Sequence, residues 1–475
     1  MLKPCRTPES LQVASSTTHP PASPARRRLA GGALAVVAAQ LGLLAANAIL
    51  SVAIARILKP SGTGRYGVAV TVFALLAPVT SIGLRSGVIY LVSRGEWSAG
   101  RALKECQLAA LGLGLAASAV MVPVYALWNG GPLHGLGDDL LALTLMAVTF
   151  WVGWTLAASI LLANERYEAF GLTQLVQAVA GLAISVGLMV PFGVVGALGG
   201  LAASQLIAAV FAINRVFALP GARAQARMPG RLTELRRAAV FGSKTWLAEI
   251  FWALNFRLDV IVLNAYVASS TVGVYFVAGS LGTLAWVLPG ALQTVILPRV
   301  ARLEAAAERG ETERNSNETA ARSMRHGVLL TLPTGLGLAL LLVLGVPLLY
   351  GAGFHRAILY GFLLLPGVLA GGIGRVATGV LTGRGRPGYG LLPLLLVTPP
   401  TIAAYLLVIP AQGAIGAAVV SSVSYAALGA VACLLVLRVT KIPATAMLLP
   451  RQSDVRDYRD LIVGLPAYIR ARLSD

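Results

Sequence analysis

The sequence predicts an all-α polytopic membrane protein of about twelve transmembrane helices, in two six-helix lobes related by a parallel pseudo-two-fold repeat. The chain of 475 residues is 57% hydrophobic and only 12% charged, whereas about 25% charged residues is usual in soluble domains. Its apolar residues fall in runs of about 20 or more, the length that crosses a hydrocarbon core of about 30 Å. A motif repeated in the two halves of the chain is the third observation.

The apolar runs indicate helices because they lack the strict alternation of transmembrane barrel strands. Helices and closed barrels are the two structures that satisfy every backbone polar group in lipid. The predicted spans lie at about 30–55, 67–92, 106–128, 139–163, 169–191, 194–217, 239–265, 272–298, 326–350, 357–382, 388–409 and 413–437.

The basic residues test the number of spans, because cytoplasmic loops carry an excess of Lys and Arg. With twelve spans, 30 of the 38 Lys and Arg fall on the side of the N-terminus and 4 on the other side. One span more or fewer would mix the two sides, so an even number with both termini cytoplasmic is predicted. The net charge of +19 does not indicate nucleic-acid binding, because the basic residues are dispersed between apolar runs and form no single patch.

The spans divide the chain into five parts. Few large apolar residues occur in the first part, so it cannot bury enough surface to fold. The loops opposite the N-terminus are short, which places any activity within the membrane. The four His and three Cys have no catalytic or metal-ligand spacing, so neither an enzyme nor a cofactor is predicted. The parts are a disordered cytoplasmic leader at 1–28, an N-terminal lobe at 29–217, a basic cytoplasmic linker at 218–238, a C-terminal lobe at 239–437 and a cytoplasmic tail at 438–475.

Two segments repeat at the start of the second span of each lobe. Residues 55–70 align with residues 263–278 at an offset of 209 positions. Each lobe has an even number of spans, so both lobes enter the membrane from the same side, as in transporters that bind substrate between their halves. The identical pairs are Gly64 with Gly273, Tyr66 with Tyr275, and Ala69 with Ala278.

Six charged residues lie five or more positions inside the ends of predicted spans, where a charge costs roughly 2.5–3.5 kcal/mol at mid-helix. Such side chains usually face a cavity, although long ones near a span end can instead extend to the headgroups. Four bases against two acids leave the membrane interior net positive, which indicates an anionic ligand, and the planar guanidinium suits phosphate. The candidate substrate-binding residues are Arg85, Lys244, Glu249, Arg257, Asp259 and Arg375.

Three groups of segments resemble the polysaccharide flippases (Wzx-type) of the multidrug/oligosaccharidyl-lipid/polysaccharide exporter superfamily. The resemblance implies two six-helix lobes around a cationic cavity and transfer of an undecaprenyl-pyrophosphate-linked oligosaccharide from the inner to the outer leaflet. It also implies a bacterial inner-membrane location, and polysaccharide polymerase and export machinery as partners besides membrane lipids. Functional weight would fall on Arg85, Arg257, Asp259 and Arg375. The segments are 55–67 with 80–94, 258–281 with 288–303, and 349–367 with 381–387.

Three alternatives remain open on the sequence. A cation-coupled multidrug exporter of the same superfamily would be expected to have acidic residues in the membrane core of the first lobe, where no acidic residue is found. A membrane glycan-transfer enzyme would usually need a sizeable outer loop with catalytic groups, and the outer loops are short. A non-transporting assembly or scaffold protein is the third alternative.

Overall fold

The computed structural model describes residues 24–230, 232–308, 313–384, 388–454 and 456. The predicted leader lies outside the described residues up to position 23, as does the predicted tail beyond position 456. The last residues of that leader belong to the first helix, which begins at Pro24.

Within the described residues, helices account for all of the regular structure. The helices are α1 (Pro24–Ser81), α2 (Leu84–Ser93), α3 (Ala99–Trp128), α4 (Asp138–Ala163), α5 (Tyr167–Phe217), α6 (Ala222–Ala226), α7 (Leu232–Asn264), α8 (Ser269–Leu284), α9 (Val287–Glu308), α10 (Glu313–Leu340) with a π-helical extension Leu341–Tyr350, a 3-10 turn Ala352–Phe354, α11 (Arg356–Gly383), α12 (Gly388–Thr440) and α13 (Ala444–Leu448).

Three of the helices are interrupted and count as two spans each. Helices α1, α5 and α12 contain 58, 51 and 53 residues, although about 20 residues suffice to cross a bilayer. Each contains one residue with positive φ, at Lys59, Gly193 and Gly413. In α5 the Ser185 hydroxyl donates to the carbonyl of Ala197 at 3.1 Å, so the two parts of this helix fold back on each other.

The predicted twelve spans are confirmed when these interruptions are counted. By length and composition, eight of the described helices are apolar enough to cross a membrane. Division of α1, α5 and α12 raises the number to eleven. Helix α7, with 33 residues and several charged side chains, is the twelfth, and α2 and α9 complete the second span of each half.

The internal repeat is visible in the backbone. Gly193 and Gly413 join the last two spans of each half with nearly the same dihedrals, φ 55°, ψ −129° and φ 54°, ψ −135°, a region open essentially to glycine alone. The second span of each half is also broken, at 82–83 and at 285–286. The predicted spans at 67–92 and 272–298 are therefore each formed by two helices, with a pair of non-helical residues between them.

The two ends of the bundle are packed differently. We call the end with connections 129–137 and 265–268 the far end, and the end with connections 94–98, 164–166 and 218–221 the basic end. At the far end one hydrophobic core contains residues of both halves. At the basic end the first half and the second half have separate cores. The halves are therefore joined at the far end and separable at the basic end.

The start of the C-terminal tail is fixed to the second half by a buried ion pair. Arg325 of α10 donates two hydrogen bonds to Asp454, with N–O distances of 2.6 and 3.1 Å, and a third to the carbonyl of Ala446 at 2.9 Å. The Arg325 and Asp454 side chains are 6% and 1% exposed. A guanidinium bound to a carboxylate by two parallel bonds is a strong, directional contact, so it determines where the tail lies.

Protonation of Asp454 is expected to release the tail. Burial raises the pKa of this carboxyl, but hydrogen bonds from Arg325 and from the backbone of Arg451 outweigh it and hold the pKa below 3.8. A carboxylate whose pKa is depressed by folding contributes stability above its unfolded pKa and loses it as the pH falls through the folded one. Hydrogen-exchange protection at 444–454, measured against the intrinsic exchange rate at each pH, should therefore be high at pH 6 and should fall as the pH drops below 3.8.

The variant Asp454→Asn should show fast exchange in this segment already at pH 6. Glu318→Gln, which changes an exposed carboxylate on the same helix as Arg325, is the matched control and should behave as wild type. Slow exchange in Asp454→Asn at pH 6 would contradict the role given to the ion pair.

Candidate functional site

Helix α7 connects the two halves. Ala238, near its start, belongs to the basic-end core of the first half. Val260, near its end, belongs to the core shared at the far end. Between these two anchored parts most side chains of 243–252 are exposed. Thr245 and Trp246 of this stretch donate to Ser86 and to the carbonyl of Pro78 in the first half, so the stretch lies along the seam between the halves.

At the far end the halves are in backbone contact, and the contact residues are equivalent in the repeat. A Cβ added to Gly64 would lie 1.8 Å from the carbonyl oxygen of Ser269, and one added to Gly273 would lie 2.1 Å from that of Pro60. Position 60 plus the offset of 209 is 269, and 64 plus 209 is 273. The exchange is reciprocal, which places the pseudo-two-fold axis between Gly64 and Gly273.

Polar contacts reinforce this closure. Arg56 of the first half donates to the carbonyls of Leu348 and Leu349 of the second half at 2.5 and 2.6 Å. Asn264 of the second half donates to two carbonyls of the 132–134 segment of the first half at 3.0 Å each. Most partners are main-chain carbonyls at helix ends, groups that lack an intrahelical partner. The far end of the seam is closed in this structure.

The basic end of the seam has a second contact, between α2 and α7. A Cβ on Gly83 would lie 2.4 Å from the carbonyl oxygen of Gly242. The rings of Tyr90 and Phe241 stack with centroids 4.0 Å apart. Arg237 pairs with Glu96 at 2.5 Å, at the exposed rim. Unlike the far end, this contact involves α7 without the rest of the second half.

Arg85 and Glu249 face each other in the seam, and Lys244 lies on the same stretch of α7. All three are exposed, and the Arg85 guanidinium interacts electrostatically with the Glu249 carboxylate. The Trp246 indole, on the same stretch of α7, donates to the carbonyl of Pro78 at 2.9 Å. The structure therefore brings one charged residue of the first half close to one of the second, Glu249.

Arg257 and Asp259 line one small cavity of about 40 Å³ in the second half. Arg257 is partly buried, and its guanidinium makes no hydrogen bond or ion pair with any described residue, although it interacts electrostatically with Asp259. Its donors are open to the cavity. The guanidinium is therefore available to an anion that enters from the seam.

Asp259, which is 4% exposed, is already fully hydrogen-bonded. One carboxylate oxygen accepts from the Tyr275 hydroxyl at 2.5 Å and the Ser421 hydroxyl at 3.2 Å, and the other accepts from the Val260 amide at 2.8 Å. Buried polar groups need such partners, because each unsatisfied one costs about 1–3 kcal/mol. This network ties α7 to α8 and α12, so Asp259 holds the part of α7 that carries Arg257.

Replacing Asp259 by alanine is expected to lower the thermal stability of the purified protein. Removal of the carboxylate leaves the Tyr275 hydroxyl without its principal acceptor, at a cost of about 1–3 kcal/mol. The change is read as the apparent Tm of the detergent-solubilised protein. Glu168→Gln, at an exposed carboxylate, is the control with no expected shift. An unchanged Tm for Asp259→Ala would contradict a structural role for the network.

Arg375 lies in a separate cavity of about 230 Å³, formed by α7, α9, α11 and α12. Four aromatic residues line both this cavity and the one that contains Arg257. The ring centroids of neighbouring members are 4.6–5.5 Å apart, the spacing of attractive aromatic pairs. We call these residues the aromatic cluster: Trp252, Phe256, Trp286 and Tyr425.

The structure thus divides the six predicted site residues into three places: the seam, the small cavity and the larger cavity. The aromatic cluster between the two cavities was not identified from the sequence. Trp252 and Phe256 are spaced i, i+4 on one helix face, which is a usable signal. Trp286 and Tyr425 come from distant helices, and nothing in a single sequence brings them together.

A family model described as polysaccharide biosynthesis protein matches residues 53–359. Among curated proteins no sequence matches the chain. Two solved structures with a TM-score of 0.69 are an inward-facing multidrug resistance MATE family transporter of the MOP superfamily (16% identity, covering 83% of this chain and 94% of that chain) and the lipid II flippase MurJ in an inward closed conformation (15% identity, 86% and 89%). An outward-facing MATE family transporter of the same superfamily gives a TM-score of 0.55 (14% identity, 86% and 95%).

Because all three sequence identities are low, the structural matches show a shared fold and nothing beyond it. That fold is the two-lobed, multi-pass membrane architecture of the MOP superfamily, which confirms the predicted fold class. The family match covers more than half of the chain, and it confirms the resemblance to polysaccharide flippases of this superfamily. The protein belongs to the polysaccharide biosynthesis protein family and has the fold of the MOP superfamily transporters.

Proposed function

We propose that the protein flips a lipid-linked oligosaccharide, with undecaprenyl pyrophosphate as its carrier, from the inner to the outer leaflet of the bacterial inner membrane. The observation that carries this proposal is the pair of partly buried guanidinium groups of Arg257 and Arg375. Neither side chain has a hydrogen bond or ion pair with a described residue, although a buried charge is costly without a counter-charge. An anionic substrate provides that counter-charge during transport.

The charges around the seam favour an anion over a cation. Glu249 faces Arg85. One oxygen of Asp259 accepts from Tyr275 and Ser421, and the other accepts from the Val260 amide. No acidic side chain of the candidate set therefore remains free to coordinate a cation. Guanidinium groups bind phosphate and carboxylate oxygens through two parallel hydrogen bonds, so the anionic groups of a lipid-linked glycan fit Arg257 and Arg375 better than a cationic drug does.

Alternating access follows from the two contacts along the seam. The reciprocal contact of Gly64 and Gly273 closes the far end, and the contact of α2 with α7 narrows the basic end. We propose that the basic end faces the cytoplasm, as the positive-inside rule requires, with both termini on that side. Opening there admits the headgroup to Arg85, Lys244 and Glu249, while the lipid tail stays in the bilayer.

The proposal keeps the predicted division of the chain. The lobes at 29–217 and 239–437 move relative to each other about the far-end axis, and the linker at 218–238 connects them. A polysaccharide polymerase and export machinery on the far side would then receive the lipid-linked glycan. MurJ, one of the proteins with the same fold, is a lipid II flippase, which supports a lipid-linked substrate.

The test is the leaflet distribution of lipid-linked glycan in cells that lack the protein. Deletion should leave the glycan on the cytoplasmic leaflet and remove the surface polysaccharide, and wild-type protein should restore both. A deletion strain that still delivers the glycan to the outer leaflet would disprove the flippase proposal. Reduced drug resistance with normal glycan distribution would instead indicate an exporter.

A further inference from the structure

We infer that the cavity around Arg375 is a subsite for one sugar ring that carries a carboxylate, within the glycan being flipped. This inference rests on the proposed function, and it names the class of substrate. It concerns the interior of the second half, at a distance from the charges exposed in the seam. The aromatic cluster, the charge and the size of the cavity support it.

The aromatic cluster suits the apolar face of a sugar ring. A pyranose presents C–H groups on one face and hydroxyl groups around its rim, so it packs on aromatic faces while its rim needs polar partners. Trp286 is held in place by a hydrogen bond from its indole nitrogen to the carbonyl of Val368 at 2.7 Å. Trp252 is 42% exposed, and its indole N–H has no partner among the described residues, so it can donate to a hydroxyl.

Among the described residues that line the cavity, Arg375 is the one with a charge. Its Nε is buried without a partner, and the two terminal nitrogens form no hydrogen bond with a described residue. These terminal nitrogens are not buried, and the side chain lines the cavity, so they are accessible from it. None of the described lining residues is acidic. One guanidinium matches one carboxylate in a bidentate pair, whereas a pyrophosphate would require further cations.

The dimensions fit a single ring. The cavity volume of about 230 Å³ is below the ~300–1,000 Å³ typical of sites for drug-sized ligands. Gly371, Gly374 and Gly429 of α11 and α12 also line the cavity, and a Cβ at Gly371 would lie 3.5 Å from the Trp286 ring. Gln293, whose amide has no described partner, adds a group that can bind a ring hydroxyl. An isoprenoid chain would use none of these polar groups.

The cavity adjoins the exposed stretch of α7. Trp252 lies at the end of the exposed stretch of α7 and lines the cavity. A headgroup held near Arg85 and Lys244 would therefore leave its sugar moiety close to the cavity mouth. We expect the subsite to bind one sugar of the glycan while the seam binds the phosphates.

The experiment measures binding of two soluble disaccharides to the purified protein in lipid nanodiscs by saturation-transfer NMR. One contains glucuronic acid and the other contains glucose in the same linkage. The acidic sugar should bind at least about tenfold more tightly than the neutral one. Arg375→Gln should remove that preference, Arg375→Lys should retain part of it, and Arg438→Gln, at an exposed arginine of α12, should leave it unchanged.

Trp252→Leu is a second variant with a different expected result, because it should weaken binding of both sugars. Equal binding of the two sugars by wild type, or an unchanged preference in a folded Arg375→Gln protein, would overturn the subsite. The two proposals fail separately. Loss of the preference with normal glycan flipping refutes the subsite alone, and binding with the expected preference in a protein that flips no glycan refutes the flippase alone.

Discussion

Replacement of Gly64 by valine is expected to reduce transport strongly and to hold the far end of the seam open. The Cβ would lie 1.8 Å from the carbonyl oxygen of Ser269, and a main-chain atom cannot rotate away as a flexible side chain can. Overpacking of this kind costs about 1–3 kcal/mol or more. That free energy lowers the population of the far-end-closed state by about 5- to 150-fold.

The measurement combines transport with a distance. Spin labels on cysteines introduced at Asn129 and Arg356, exposed far-end positions in different halves, should report a longer distance in Gly64→Val than in wild type. Gly273→Val should reproduce both effects, because Gly273 is the symmetry-equivalent residue. Gly112→Val is the control, since a Cβ at Gly112 meets no atom within 4 Å. An unchanged distance with full transport in Gly64→Val would show that the far end does not close through this contact.

Replacement of Arg257 by glutamine is expected to reduce glycan flipping at least about tenfold, while the protein remains folded in the membrane. A hydrogen bond to a charged group contributes about 1.5–3 kcal/mol, and each 1.4 kcal/mol corresponds to a factor of ten. Stability should fall little, since the guanidinium has no hydrogen-bond partner among the described residues. Transport by the variant is compared with its membrane abundance and its apparent Tm.

Two further variants sharpen this test. Arg257→Lys keeps the positive charge but loses the planar fork that binds two phosphate oxygens, so its activity should lie between those of wild type and Arg257→Gln. Arg438→Gln removes an exposed arginine at the basic end of α12 and should leave flipping unchanged. Full activity of both Arg257→Gln and Arg375→Gln would refute the cationic binding site.

Most of the fold could be predicted because the membrane imposes one-dimensional rules. The length of an apolar run, and the side on which Lys and Arg lie, depend on sequence alone. The breaks at 82–83 and 285–286 could not be predicted, because glycine and proline are common in continuous membrane helices as well. Helix α7 was also assigned to one lobe, whereas its first part packs against the other.

The candidate site was predicted by residue type more than by geometry. Arg257 and Arg375 could be identified as candidates from the sequence, because a charge within a membrane span is costly to bury. Asp259 could be identified as a candidate on the same ground, yet in the structure it accepts hydrogen bonds from Tyr275 and Ser421, residues 16 and 162 positions away. Sequence distance contains no information about such partners, so a buried structural carboxylate and a substrate ligand look alike until the helices are packed.

By itself the sequence determined that this is a twelve-span membrane protein with a repeated half, because hydropathy, charge asymmetry and the Gly64 and Gly273 motifs are local properties. Tertiary structure decided what those motifs do. The equivalent glycines meet at the pseudo-two-fold axis because without side chains their backbones can touch, and rings from three distant helices meet between Arg257 and Arg375. Both outcomes depend on how helices pack against one another, which is a property of the assembled bundle.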